Sequence, residues 1–272
     1  MIQILGLFTF IFGAIIGSFL NVVALRYKTG RGVNGRSFCF SCGKTLHPLE
    51  LIPILSFLAL RGRCHSCKTP LSWQYPLVEL ITASTFFLIF ERAVAYGGTI
   101  SYLSIPVLWI ASSVLIVIAI YDAKHKIVPD MLAFVFGAIS LAWLLFSHDI
   151  HYFSTTRGLF DLFSGPLFFL PFFFLWLVSS GRWMGLGDGK LVVGFGWLFG
   201  FAIGASGIIL GFWIAAAVSL LILINGKLAS NRFSHLTLKS EVPFAPFLIL
   251  GVLLAYYFSM DLLSFNTLVN LF

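Results

Sequence analysis

The sequence predicts an all-α polytopic membrane protein of about eight transmembrane helices, with a small cytoplasmic zinc-binding loop domain. Three observations point there. The chain is 59% hydrophobic, 17% aromatic and only 10% charged over 272 residues, more apolar surface than a water-soluble core of this size can bury. Its apolar residues are gathered in runs long enough to cross a bilayer. The formal charge of +7 is fully accounted for between Arg26 and Lys68, where eight Lys/Arg face one acid, Glu50. Basic flanks of apolar runs set membrane orientation, so the expected partner is the lipid bilayer and not nucleic acid.

The first run, within residues 1–25, is long enough to span, and "MIQILGLFTF" lacks the basic start of a removable signal peptide. Residues 26–76 form a polar loop, and 77–272 hold the remaining spans. These are expected at about 77–98, 100–121, 131–147, 162–180, 190–204, 207–225 and 242–260. The stretch Leu191–Gly226 has no charge and is too long for one crossing, so "GFAIGASG" (200–207) is expected to turn. Eight spans put 15 of the 17 Lys/Arg on one side, leaving only Arg92 and Arg157 opposite. Merging the long stretch into one span would give 12 against 5, so the basic residues favour eight spans with both termini outside.

All four cysteines lie in the 26–76 loop, as "CFSC" (39–42) and "CHSC" (64–67), with 21 residues between the pairs. Two Cys-x-x-Cys knuckles at this separation predict a tetrahedral zinc site of Cys39, Cys42, Cys64 and Cys67. Two disulfides are the alternative, disfavoured by a loop that faces a reducing compartment. Four thiolates close the coordination shell, so the metal reads as structural and His65 as a spare.

Acids are few at the cytoplasmic ends of the spans: Glu79, Asp122, Asp130, Asp188 and Glu241. Asp122 closes one apolar run and Asp188, in "GLGDGK" (185–190), opens another, so both are expected at a membrane–cytosol boundary. Two carboxylates sharing a low-dielectric site cannot both ionise, so one keeps a proton while the other acts as base. Such a pair can activate water without a metal. Gly185, Gly187 and Gly189 are expected to give the backbone unusual conformations and to admit an extended substrate. The alternative for Asp122 is a solvated cap beside Lys124 and Lys126; Asp130 is expected to be an N-terminal cap.

These features occur in order with "GSFLNVVALR" (17–26), "RSFCFSC" (36–42), "IPILSFLALRGRCHSCKTPLSWQYPLVEL" (52–80), "YDAKHKIVPD" (121–130), "GLGDGKL" (185–191) and "VPFAPFLILG" (242–251). Together they resemble the type IV prepilin leader peptidases, membrane aspartic proteases with a glycine-x-glycine-aspartate motif. Departures are Phe40, Leu51, Gln74, Val128 and Ala245, where the family usually has proline, asparagine, arginine, Leu or Ile, and glycine. None falls on the aspartates or cysteines.

The resemblance implies cleavage of prepilins or pseudopilins after a glycine, with Asp122 and Asp188 as the catalytic pair and 77–272 as a seven-helix membrane protease domain. It implies zinc on the four cysteines and a place in the bacterial inner membrane with the active site facing the cytoplasm. It also implies N-methylation of the new amino terminus with S-adenosylmethionine as donor, for which Gly62 and Glu79 are the candidate residues. The residues alone also fit a tight turn at Gly62 and a snorkelling or hydrogen-bonded acid at Glu79. Two other functions fit part of the pattern. Presenilin-like and signal-peptide-peptidase-like proteases share Tyr121-Asp122 and Gly185-Leu186-Gly187-Asp188, but the cysteine loop and "VPD" disfavour them. A transporter would use the aspartates for ion coupling.

Overall fold

The computed structural model describes residues 2–30, 32, 35–228 and 243–269, and is helical throughout its apolar runs. Glu241, and most of the loop expected at 226–241, lie outside the described residues. Among the described residues five helices are long and apolar enough to cross a membrane: Ile2–Arg26, Ser101–His125, Asp130–Ser147, Thr156–Ser179 and Leu186–Ile224. The chain divides into two compact units, Met1–Val117 and Ile118–Phe272.

The first unit contains α1 (Ile2–Arg26), the short α2 (Leu55–Ala59), α3 (Gln74–Tyr96) and the first part of α4 (Thr99–His125). Helices in lipid gain little from burying apolar surface, so they associate where small residues let backbones touch. Here α1 lays Gly13 and Gly17 on α3: a methyl at Gly17 would stand 2.8 Å from the Glu79 Cα. Buried Asn21 of α1 donates to the carbonyls of Gly17 and Tyr75 and accepts from Gln74, which fixes the start of α3. In the same unit Trp109 of α4 stacks on Phe86 of α3 with ring centroids 4.9 Å apart and donates to the Phe86 carbonyl.

The second unit holds the end of α4, then α5 (Asp130–Ser147), α6 (Thr156–Ser179), α7 (Leu186–Leu228), α8 (Ala245–Tyr257) and the short α9 (Phe265–Val269). A straight helix of α7's length would far exceed the hydrocarbon thickness of about 30 Å. It is not straight, because Gly200 leaves the helical region at φ 77° and ψ 170°. A methyl at Gly204 would lie 3.4 Å from the Gly196 Cα, so the chain doubles back there and α7 is two antiparallel arms. The expected eight-residue turn at 200–207 is therefore one residue, and 201–207 are helical. Asp161 of α6 makes so short a turn feasible. One carboxylate oxygen accepts from the Phe201 N–H at 2.7 Å, capping the new arm, and the other accepts from the Tyr152 hydroxyl at 2.5 Å. The second arm then packs on α8 through Gly207 and Gly211.

Helix α4 runs on to His125, so Asp122 lies in its last turn and not after it. Helix α3 carries Glu79, Glu91 and Arg92 and is not among the five apolar spans.

Candidate active site and metal centre

In the second unit three helix ends meet: the end of α4 with Asp122, the start of α7 with Asp188, and the start of α8 with Ala245. Both carboxylates are buried, 4% and 8% exposed, and within electrostatic range of each other. Asp122 accepts a hydrogen bond from the Ala245 N–H at 3.2 Å. A carboxylate at a helix C-terminus faces the negative end of that helix; the positive N-terminal end of α8 offsets this for Asp122, and Asp188 has that of α7. Sequence reasoning missed the contribution of α8. Its only local signal was the "FAP" of the last motif, which shows no polar side chain.

The glycines act differently from expectation. Gly185, Gly187 and Gly189 are not among the residues with positive φ, and the last two are ordinary helical residues of α7. They are small because neighbours are close. A methyl at Gly187 would meet the Val128 Cβ at 2.8 Å, and one at Gly189 the Phe172 Cβ at 3.0 Å. Val128 belongs to the link after Asp122, so Gly187 packs the two aspartate-bearing segments together. Asp130 is also corrected. Pro129 holds the N-cap position without a side-chain cap, while Asp130, the first residue of α5, pairs with Lys190 at 2.7 Å on an exposed face.

In the first unit each cysteine pair sits in a small hairpin of identical register. The Cys39 and Cys64 N–H groups donate to the carbonyls of Lys44 and Thr69, and Gly43 and Lys68 donate back. The two donors that return, Gly43 and Lys68, both take positive φ, 70° and 57°. The four sulfurs are free thiols within 4.8 Å of one another, and Cys39 Sγ lies 3.8 Å from Cys67 Sγ. Tetrahedral Zn–S bonds of about 2.3 Å require sulfurs roughly 3.8 Å apart, so the cluster fits that ion. The Thr69 hydroxyl and N–H lower the Cys67 thiol to about 6, toward the thiolate a metal needs. His65 stands aside, 3.9 Å from Glu50.

Gly62 and Glu79 bracket the segment between the knuckles and α3. Gly62, at φ 66°, donates to the Phe57 carbonyl at 2.8 Å and closes α2; a methyl there would strike the Phe57 ring at 3.0 Å. The Glu79 carboxylate is buried and accepts from the Ile54 N–H at 2.7 Å. Both structural alternatives thus describe their contacts: Gly62 forms a turn, and Glu79 is a hydrogen-bonded acid.

A paired-carboxylate site in a helical membrane protein with a four-thiol cluster defines a class, and comparison with known proteins narrows it. Residues 11–93 match the bacterial peptidase A24 N-terminal domain and residues 109–224 match the type IV leader peptidase family. A prepilin leader peptidase/N-methyltransferase of Bacillus subtilis is 32% identical over 260 residues, covering 94% of this chain and 95% of its own. The protein of that name in Pseudomonas aeruginosa is 29% identical over 267 residues, covering 88% and 86%. That in Klebsiella pneumoniae is 32% identical over 206 residues, covering 71% and 85%. No solved structure matches the chain. The chain belongs to the type IV leader peptidase family.

Proposed function

We propose that this protein cleaves the leader peptide of type IV prepilins or pseudopilins with Asp122 and Asp188, then N-methylates the new amino terminus. The observation that carries the reading is the buried carboxylate pair, drawn from two helices and steadied by the Ala245 N–H. One carboxylate, ionised, takes a proton from water as its oxygen joins the scissile carbonyl carbon; the other, protonated, hydrogen-bonds the developing oxyanion. Collapse breaks the C–N bond, and the proton held by the pair leaves with the new amine. Family membership takes the place of the presenilin-like and transporter readings.

The four cysteines hold a structural zinc that orders the 26–76 loop. S-adenosylmethionine supplies an electrophilic methyl, and Gly62 and Glu79 support its site through the Phe57 and Ile54 contacts. The helices fit eight spans in the bacterial inner membrane, with α7 counted as two and the aspartates toward the cytoplasm. On this reading 26–76 is the metal-bearing loop and 77–272 the seven-helix peptidase part.

The test is prepilin cleavage by purified variants. Asp122→Asn and Asp188→Asn each lose at least about 100-fold in rate while inserting and binding zinc normally, since each removes half of an acid–base pair. Asp130→Asn keeps most activity, because an exposed ion pair is worth at most about 1 kcal/mol. Wild-type rates in either of the first two variants would remove that aspartate from catalysis.

A further inference from the structure

Between the two cysteine pairs lies "LIPILSFLAL" (51–60), a chargeless run inside the most basic stretch of the chain. An apolar run of that length is too short to cross a bilayer and is of the kind found in re-entrant or interfacial segments. In the structure it breaks at Ile54 and then forms α2, and most of its large side chains are not buried. Leu55 is 65% and Leu58 61% exposed, and Leu51 and Ile52 are exposed with them. Leu55 and Leu58, three positions apart, share one face of α2. Phe57 lies on the other side, buried, with its ring centroid 5.0 Å from that of Trp73, which is itself 74% exposed. An apolar face of this kind marks a contact with a protein or a membrane.

Hydrogen bonds fix the depth at which the face lies. The Ile54 N–H donates to Glu79 at 2.7 Å, and Glu79 lies roughly 8 Å along the α3 axis from Gln74, its first residue. Glu79 in turn packs on Gly17, roughly 13 Å along α1 from Arg26. The start of α2 is therefore level with the apolar interior of α1 and not with the polar ends of the two helices. Backbone at membrane depth must find its hydrogen-bond partners within the protein. It does so here: Ser56, Leu58 and Leu60 donate to the carbonyls of Ile52, Ile54 and Ser56, and Pro53 has no N–H. As the residue that opens α2, Ile54 has no acceptor for its N–H inside that helix, and Glu79 supplies one. Exposed Arg61 and Arg63 follow the run directly, and Trp73 stands where the chain enters α3. Arginine and tryptophan are the residues that favour the headgroup level.

We propose that residues 51–60 are seated in the bilayer, dipping into the leaflet on the loop's side. Leu55 and Leu58 face acyl chains, while Trp73, Arg61 and Arg63 lie among headgroups, whose anionic members match the arginines. Interfacial helices bury their apolar face about 5–10 Å below the headgroup boundary, the depth that the Glu79 tie sets. The occupant of the face is membrane lipid. This goes beyond the chemistry proposed above and does not depend on it. It gives Glu79 a mechanical part, holding down the segment that joins the two cysteine hairpins.

Photo-cross-linking of the full-length protein in vesicles of phosphatidylethanolamine and phosphatidylglycerol tests this. Benzoylphenylalanine replaces Leu55 or Leu58 and, for comparison, Ser66, an exposed residue of the second hairpin. Mass spectrometry is expected to find lipid adducts at 55 and 58 and none at 66, with thermal unfolding as in wild type. Should one labelled protein fail to fold, the other decides. Cross-links into protein in place of lipid, whether a second copy or another chain, overturn the assignment, and so does the absence of any adduct at 55 and 58. Lipid adducts as abundant at 66 overturn the depth, since the whole loop would then touch the membrane. A milder variant gives an independent reading. The tryptophan fluorescence lost in Trp73→Phe is expected to be quenched in wild type by lipids brominated near the headgroup. If bromolipid leaves that difference signal unquenched, Trp73 is in water and the seating is wrong.

Discussion

Asp188 reaches Asp122 because the residue before it has no side chain. Gly187 lets the first turn of α7 lie against Val128, and a single methyl would enter the Val128 Cβ at 2.8 Å. Gly187→Ala is therefore expected to cost about 1–3 kcal/mol in stability, the usual penalty of overpacking, and to lower cleavage by parting the aspartates. Because the clash is with Cβ itself, Val128→Gly in the same chain should restore part of both, whereas Val128→Ala should not. Thermal unfolding and cleavage rates of the two doubles check this; equal rescue by Val128→Ala would mean the strain lies elsewhere. Asp122 and Asp188 stood out in the sequence because a carboxylate beside an apolar run is rare. The reason for the glycines did not, since the neighbour that demands them is distant in sequence. Asp130 was misread for the same cause: its partner Lys190 is 60 residues away.

Among elements, the paired hairpins were the most legible, because a metal site writes its ligands into local spacing. The break in α7 was half legible. A chargeless stretch too long for one crossing announces a turn, but its position depends on Asp161, whose carboxylate caps Phe201 from another helix. The hairpins also permit a clean test of backbone conformation. Gly43 and Lys68 occupy equivalent positions with positive φ, and a methyl at Gly43 would touch nothing within 4 Å. Its cost is then purely conformational, about 1–2 kcal/mol for a left-handed L-residue. Purified protein should hold about one zinc per chain. Gly43→Ala should speed its removal by a chelator, while Lys68→Gly should slow it. If neither changes the stripping rate, the hairpins do not hold the metal in the geometry seen.

For the whole molecule the open quantity is how often the chain crosses the membrane. The first arm of α7 runs from the aspartate side to Gly200, where Asp161, itself hydrogen-bonded by Tyr152, caps Phe201, and Gly204 folds back on Gly196. A chain that reverses there returns toward the side from which Asp188 started. The basic residues of the sequence agree with two crossings, since that count keeps Lys227, Arg232 and Lys239 on the side expected for the other Lys/Arg. If α7 crossed once, those three would face outward against the charge rule. Fusions of alkaline phosphatase, active only outside the inner membrane, separate the cases. Fusions after Lys126 and Arg182 should be inactive and one after Ser154 active on either count, which fixes the frame. The deciding fusion follows Lys227: eight spans predict it inactive, seven predict it active. Activity there would require the two arms of α7 to act as one crossing despite the fold-back at Gly200.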